Sequence, residues 1–438
     1  MTSFTAPGCQ IVFHADQPLA DLNVFDPERL SCPYTTWAKL QREAPLFRLH
    51  LPGVSAPVFM ATRRSDIERI ARDTDNFSSK PVGEVWRWGD FTPEIAALFS
   101  DQGYEVVHTT VTSDPPNHKQ YRELAETALS PHKIQAWKPK VVEIVDGLMA
   151  DIPDDERFDF VERFAVPLPM QIICLILGLP TADAKYLRHY SDLFVQLVDP
   201  SSSPDKAMEG AKAVVAGYDY FAEHVFRLRQ HPDESMMGTF ANARKHDGTL
   251  FSLNEVLSLA HATTVGGNET TRNAISSCAL ILATQKNLWS ALKQDPKRIM
   301  AFIEEVIRIN SPSASMPRRA LADIQVGDVM VPKGATIFLM WGAGSTDPAF
   351  FEHPLMIDLE RKNKRAHTSF GIGIHYCVGN QLARLEIHTS IRAWLRDFES
   401  MELAVPENEV RYEPLLGFRM LNSLPLKVRR KETVNAIA

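Results

Sequence analysis

Apolar positions recur every three to four residues through most of the chain between about 117 and 310, in NHKQYRELAETAL, HKIQAWKPKVVEIVDGLMADI, PLPMQIICLILGL, MEGAKAVVAGYDYFAEHVFRLRQ and SLNEVLSLAHATTVGGNETTRNAISSCALILATQ. That period predicts amphipathic helices, the last of them about 33 residues long. Ahead of this region PYTTWAKLQREA (33–44) reads as a short helix, and FRLHL and PVFMATR alternate as paired strands do. Beyond it VGDVMVPKGATIFLM (326–340) predicts a strand hairpin with Pro332 and Gly334 at its turn. A final helix is expected at roughly 379–397, and LPLKVRR adds one more strand. The fold class is therefore mainly α with small β-sheets. No internal repeat or low-complexity linker divides the chain, so 1–438 reads as a single domain.

Composition narrows the class of partner. With 45% apolar and 9% aromatic residues the chain can bury a large core, and 23% charged residues is an ordinary globular share. A formal charge of -7 with no long basic run argues against nucleic acid. No stretch approaches the roughly 18 apolar residues of a membrane span, and MTSFTAPGCQ lacks the order of a secretory signal, so a cytoplasmic protein without a membrane partner is expected. The cysteines, at 9, 32, 174, 278 and 377, are odd in number and scattered. That fits neither a disulfide framework nor a zinc site, and Cys9, Cys32, Cys174 and Cys278 read as inert buried thiols.

Cys377 has a different setting. In FGIGIHYCVGNQLARLE (370–386), Phe370, Gly371, Gly373, His375, Cys377 and Gly379 precede a helix in fixed order. At about 5% usage per residue type, six specified positions arise by chance in a chain this long roughly once in a hundred thousand sequences. The segment resembles the haem-binding loop of the cytochrome P-450 superfamily. The resemblance implies a haem b held between the long central helix and the cysteine loop, with Cys377 as axial ligand and Phe370, Gly371 and Gly379 against the cofactor. An anionic sulfur pushes electron density onto iron and favours O–O cleavage. Glycines let backbone amides approach and tune that sulfur.

Gly266 and Gly267 interrupt the long helix, each costing about 1 kcal/mol relative to Ala. The string GGNETT (266–271) is similar to the superfamily's oxygen-binding segment. By that similarity Gly266 and Gly267 leave room for oxygen, Thr270 hydrogen-bonds dioxygen, and Glu269, where the family more often has Asp, gates proton delivery. Glu305 and Arg308 in FIEEVIRIN match the superfamily's Glu-x-x-Arg pair, with Arg361 as third member of a structural network. Burying the two haem propionates requires cationic donors. His118 and Arg122 lie four apart after a Pro-Pro helix start, and with Arg318 and His375 they match the family's propionate contacts; Arg319 is an alternative to Arg318.

Substrate contacts are expected from Ala262 and Val265 on the central helix, from Ala314 and Ser315 after the Glu-Arg helix, and from Trp86, Trp88 and Phe91 in an aromatic stretch at 82–91. The implied activity is a monooxygenase that hydroxylates a small apolar molecule, terpenoid, aromatic or steroid-like, with dioxygen. A peroxide-driven or rearranging relative and a non-catalytic haem-thiolate binding protein are the alternatives. No flavin, nicotinamide or iron–sulfur fingerprint is present and no reductase is fused, so electrons are expected from a separate ferredoxin or flavodoxin with its reductase. Lys362, Lys364, Arg365 and Arg384 form a candidate docking patch for it.

Overall fold

The computed structural model describes residue 9 and residues 18–51, 54–81, 88, 91–198 and 203–431. Its principal helices are α1 (Tyr34–Glu43), α2 (Asn117–Ala128), α3 (Pro167–Leu177), α4 (Ala184–Val198), α5 (Pro204–Gln230), α6 (Leu253–Thr284), α7 (Ile299–Ile309) and α8 (Asn380–Asp397). The periodic runs in the sequence all become helices. Start signals are visible in several: α3 and α5 open with Pro at the first turn, where a missing amide costs nothing. Ser252 and Glu255 form a reciprocal capping box at the head of α6.

At 32 residues α6 extends roughly 48 Å. Its second half, from Thr271 to Ala283, is buried on every face, which identifies it as the central helix of the core rather than a surface one. Helices α3, α4, α5 and α8 pack around it.

The strands are β1 (Leu46–Leu49), β2 (Val58–Ala61), β3 (Phe77–Ser78), β4 (Arg157–Asp159), β5 (Met316–Ala320), β6 (Ile324–Val326), β7 (Val329–Val331), β8 (Thr336–Leu339), β9 (Phe398–Leu403) and β10 (Pro425–Arg430). They form a five-stranded sheet in the order β1-β2-β8-β5-β3, a three-stranded sheet β4-β10-β9 and the pair β6-β7. The predicted pairing of β1 with β2 is present and antiparallel.

Two expectations are corrected. Residues 326–340 are not one hairpin: the turn falls at Gly327 and Asp328, joining β6 to β7. Pro332 and Gly334 instead lie in the passage to β8, which joins the larger sheet parallel to β2 and antiparallel to β5. Strand β7 spends its hydrogen bonds on β6, so β8 finds partners far away in sequence. Secondly, Cys9 and Cys32 are disulfide-bonded rather than separate inert thiols, with their Cα atoms 5.2 Å apart. Both join an apolar cluster with Leu22, Val24 and Trp37, assembled by a chain fold-back that a spacing of 23 residues does not announce. Cys174 and Cys278 are buried free thiols in the helical core.

Candidate functional site

The cysteine loop is tied at its base: the Cys377 amide donates to the Phe370 carbonyl at 2.8 Å. Gly371 and Gly373 adopt φ of +73° and +75°, and a Cβ at Gly373 would lie 2.9 Å from the Ala71 carbonyl oxygen. Only glycine meets both demands without strain. Helix α8 begins just past Gly379, and Asn380 Nδ2 donates to the Cys377 carbonyl at 2.7 Å. Burial pushes the Cys377 thiol above its ordinary value, while the Gly379 amide and the Arg122 and Arg384 cations act in the opposite direction. Burial alone keeps this thiol protonated, so a metal bound to the sulfur would have to displace its proton.

Cys377 faces a cavity of about 310 Å³ whose far wall is α6. Leu259, Ala262, Thr263, Gly266 and Thr270 form one stripe of that wall, as helical spacing requires. The two glycines, both on the wall, do different work. A methyl group at Gly266 would meet nothing within 4 Å, whereas at Gly267 it would lie 3.1 Å from Ile173 on α3. Gly266 keeps the cavity open; Gly267 lets α3 approach.

Thr270 Oγ1 donates to the Gly266 carbonyl at 2.9 Å and remains on the wall. Glu269 is not on the wall. Consecutive helical residues point about 100° apart, and its carboxylate turns to Asn268 (3.2 Å) and Arg272 (3.5 Å). Burial raises its pKa, with Arg272 and Arg188 opposing and Asp192 reinforcing.

The loop end of the cavity is cationic. Arg318 is buried on the wall and donates to its neighbour's carbonyl, Pro317, at 2.8 Å; no carboxylate lies within ion-pair distance among the described residues. Burial pulls it down to about 10. Arg319 is exposed, because strand alternation in β5 turns it outward, which decides between the two arginines. His375 lies on the wall, with Nδ1 3.0 Å from the Thr110 carbonyl and Nε2 2.9 Å from Ser79 Oγ. His118 stands behind it, ring centroids 4.5 Å apart, and its Nε2 is buried without a partner. Arg122 pairs with Glu126 at 2.7 Å and donates to the Tyr376 carbonyl. A buried guanidinium and an orphaned imidazole nitrogen are costly unless an anion meets them. The residues present therefore fit a haem: a thiol for the iron, Phe370, Gly371 and Gly379 on the wall beside it, and cations for its carboxylates.

Glu305 and Arg308 on α7 are fully buried and joined bidentately at 2.8 and 3.0 Å. Arg361 Nε reaches the same carboxylate at 3.0 Å, and the Asp358 amide donates to it at 3.0 Å. Arg308 and Arg361 also donate to carbonyls of residues 352–356, clamping the segment that leads to the cysteine loop. None of the three faces the cavity.

Of the expected substrate contacts, Ala262 lines the cavity. Val265 packs into the helical core instead. Ala314 and Ser315 are not on the wall; the Ala314 amide donates to the Gly417 carbonyl and the Ser315 hydroxyl to that of Leu416. Trp88 is stacked on His261 at 4.5 Å and Phe91 on Phe99 at 5.2 Å, both as core packing. Trp86 lies outside the described residues. Thr110, Val111, Pro312, Ser313 and Met316 line the cavity without having been singled out; Leu259 and Thr263 were legible as the same helical stripe as Gly266. In the candidate docking patch Lys362 and Arg365 are exposed, but Arg384 is largely buried against Glu304, and Lys364 donates to the Arg361 carbonyl at 2.6 Å.

Comparison with known proteins agrees with this geometry. The Cytochrome P-450 family profile matches residues 89–422. The "Biotin biosynthesis cytochrome P-450" of Bacillus subtilis (strain 168) is 30% identical over 402 residues, covering 91% of this chain and 97% of the relative. The "Vitamin D(3) 25-hydroxylase" of Pseudonocardia autotrophica is 29% identical, covering 90% and 93%. Among solved structures, the bacillaene polyketide synthase cytochrome P-450 PksS of Bacillus subtilis 168 superposes with a TM-score of 0.82 at 27% identity, covering 93% of this chain and all of that one. A cytochrome P-450 solved in complex with a hexadec-9Z-enoic acid-ligated acyl carrier protein gives 0.81 at 27% identity, covering 92% and 99%. A thiol facing a glycine-opened helix across a cation-ended cavity, in a chain matched over most of its length, makes this protein a member of the cytochrome P-450 family, a haem-dependent monooxygenase.

Proposed function

We propose that this chain binds haem b through Cys377 and hydroxylates a small apolar substrate, with dioxygen and two electrons delivered by a separate ferredoxin or flavodoxin. The observation that carries the reading is the opposition of Cys377 and the Gly266–Thr270 stripe across one cavity. Bound haem supplies the iron at which dioxygen is activated. Arg318, His375 and Arg122 on the wall, with His118 behind His375, support the reading that this end receives its carboxylates. Gly266 leaves space beside Thr270 for a small diatomic ligand, and the Thr270 hydroxyl, already bonded to a helix carbonyl, can pass a proton toward it through water. Glu269, one residue before Thr270 and turned from the cavity, is the carboxylic proton reservoir of this reading, its proton affinity raised by burial.

The apolar substrate follows from the wall. Leu259, Ala262, Val111 and Met316 present hydrocarbon with few polar groups to fix a charged ligand. Relatives named for biotin biosynthesis and vitamin D(3) hydroxylation show how widely substrates differ across this degree of similarity. A single-domain organisation and a cytoplasmic setting complete the reading.

The test is the absorption of the reduced, carbon monoxide-bound protein. Wild type should show the long-wavelength band of a thiolate ligand, and Cys377→Ala and Cys377→Ser should lack it. A surviving band in either variant would remove Cys377 from the iron. Turnover with peroxide alone, equal to that with reductant and oxygen, would favour a peroxide-driven enzyme.

A further inference from the structure

Glu304 precedes Glu305 on α7, so the two carboxylates leave the helix about 100° apart. Glu305 serves Arg308 and Arg361; Glu304 builds a different network. Its Oε1 accepts from Arg384 Nε at 2.7 Å and its Oε2 from Arg384 Nη2 at 3.2 Å, a two-pronged pair whose carboxylate is 1% exposed. His367 Nε2 lies 3.1 Å from Oε2, and Arg365 approaches from solvent at 3.4 Å. Burial alone would raise the Glu304 pKa, but His367 and Arg384 hold it down to about 2.

Arg384 reaches both ends of the cysteine loop. Its guanidinium carbon lies 4.4 Å over the Phe370 ring. Its Nη1 donates to Asn380 Oδ1 at 2.6 Å, and Asn380 in turn donates to the Cys377 carbonyl at 2.7 Å. A cation kept for docking a partner would need neither a buried carboxylate nor an aromatic face beneath it. Its charge also acts on the sulfur, favouring the thiolate.

We propose that Arg384, neutralised by Glu304, is a positioning residue that holds the cysteine loop and sets the electric field at the Cys377 ligand, through an ion network separate from the Glu305 triad. The proposal rests on the haem-thiolate reading above. A cation near the ligand favours the added electron, and an anion beside that cation offsets it.

Spectroelectrochemical titration of holoenzyme variants tests this, with the carbon monoxide band recorded alongside. Arg384→Gln keeps a side chain able to hydrogen-bond but loses the charge, and should shift the ferric–ferrous equilibrium toward ferric by roughly tenfold, about 59 mV for one electron. Glu304→Gln leaves the arginine uncompensated and should shift it toward ferrous. The double variant should return close to wild type. Arg384→Lys keeps the charge but not the fork, so its potential should stay near wild type while more of the carbon monoxide complex absorbs at shorter wavelength. If Arg384→Gln fails to take up haem, Glu304→Gln still decides the sign, and Arg384→Lys the need for the fork. Potentials that do not move, or that move the same way in both charge variants, overturn the proposal. A wild type without the thiolate band would sink the haem-thiolate reading itself, a distinguishable result.

Discussion

At the scale of single residues, position on the helix separates neighbours that look equivalent in sequence. Thr270 stands on the cavity wall and Glu269 does not, so their substitutions should differ. Thr270→Ala removes the hydroxyl nearest the oxygen space, and product formed per reductant consumed should fall roughly tenfold, equivalent to about 1.4 kcal/mol, with peroxide appearing in its place. Unchanged coupling would free Thr270 of any part in proton transfer. His261 shows the opposite fate of a polar side chain on the same helix. It is enclosed by Trp88, Phe194 and Tyr190, and burial holds its pKa down to about 3 against an ordinary 6.5. The unfolded chain takes up the proton first as pH falls, so the stability tied to neutral His261 is whole above pH 6.5 and is lost between there and about 3. The loss is on the order of 5 kcal/mol. Urea denaturation of the holoenzyme at a series of pH values should show a flatter acid limb for His261→Asn than for wild type.

At the scale of elements, α6 carries the conflict between helix propensity and function. Gly266→Ala adds a methyl group to open space, so it should stabilise the protein by about 1 kcal/mol while crowding the oxygen site. Gly267→Ala gains the same propensity but presses on Ile173 at 3.1 Å, and its denaturation midpoint should rise less or fall. Equal midpoints in the two variants would mean that α3 yields freely. These helices were legible because 3.6-residue periodicity is local. The turn in 326–340 was misplaced because Gly-Asp and Pro-x-Gly both signal turns, and only the distant partner β2 decides which one closes a hairpin.

At the scale of the molecule, a net charge of -7 makes exposed cations near the cysteine loop in sequence the place to test for docking of an acidic redox protein under the proposed function. Of the four cations named from sequence only Lys362 is exposed and outside any ion pair among the described residues, since Lys364 and Arg384 are engaged inside the structure and exposed Arg365 also meets Glu304 at 3.4 Å. Lys362→Glu, which leaves the Glu304 network intact, should slow reduction by an acidic ferredoxin several-fold at low salt, converge with wild type at high salt, and leave substrate binding unaltered. Stopped-flow reduction checks this, and equal rates at low salt would move the docking surface elsewhere.

The sequence alone determined the helical elements, the cysteine loop and the chemistry implied by Phe370 to Gly379, because each depends on residue types at fixed short spacings. Glu305, Arg308 and the choice of residues for the anion end were named from sequence too, but which arginine of β5 faces inward was settled by the pleat of a sheet whose strands lie far apart in the chain. Tertiary structure also decided that Trp88, Phe91, Ala314 and Ser315 support the core rather than line the cavity, that Cys9 meets Cys32, and that Arg384 joins Glu304 across 80 residues. The physical reason is common to all of them. A side chain's exposure and partners depend on which surfaces are packed against it, and packing is made by chain segments whose separation leaves no periodic trace in the sequence.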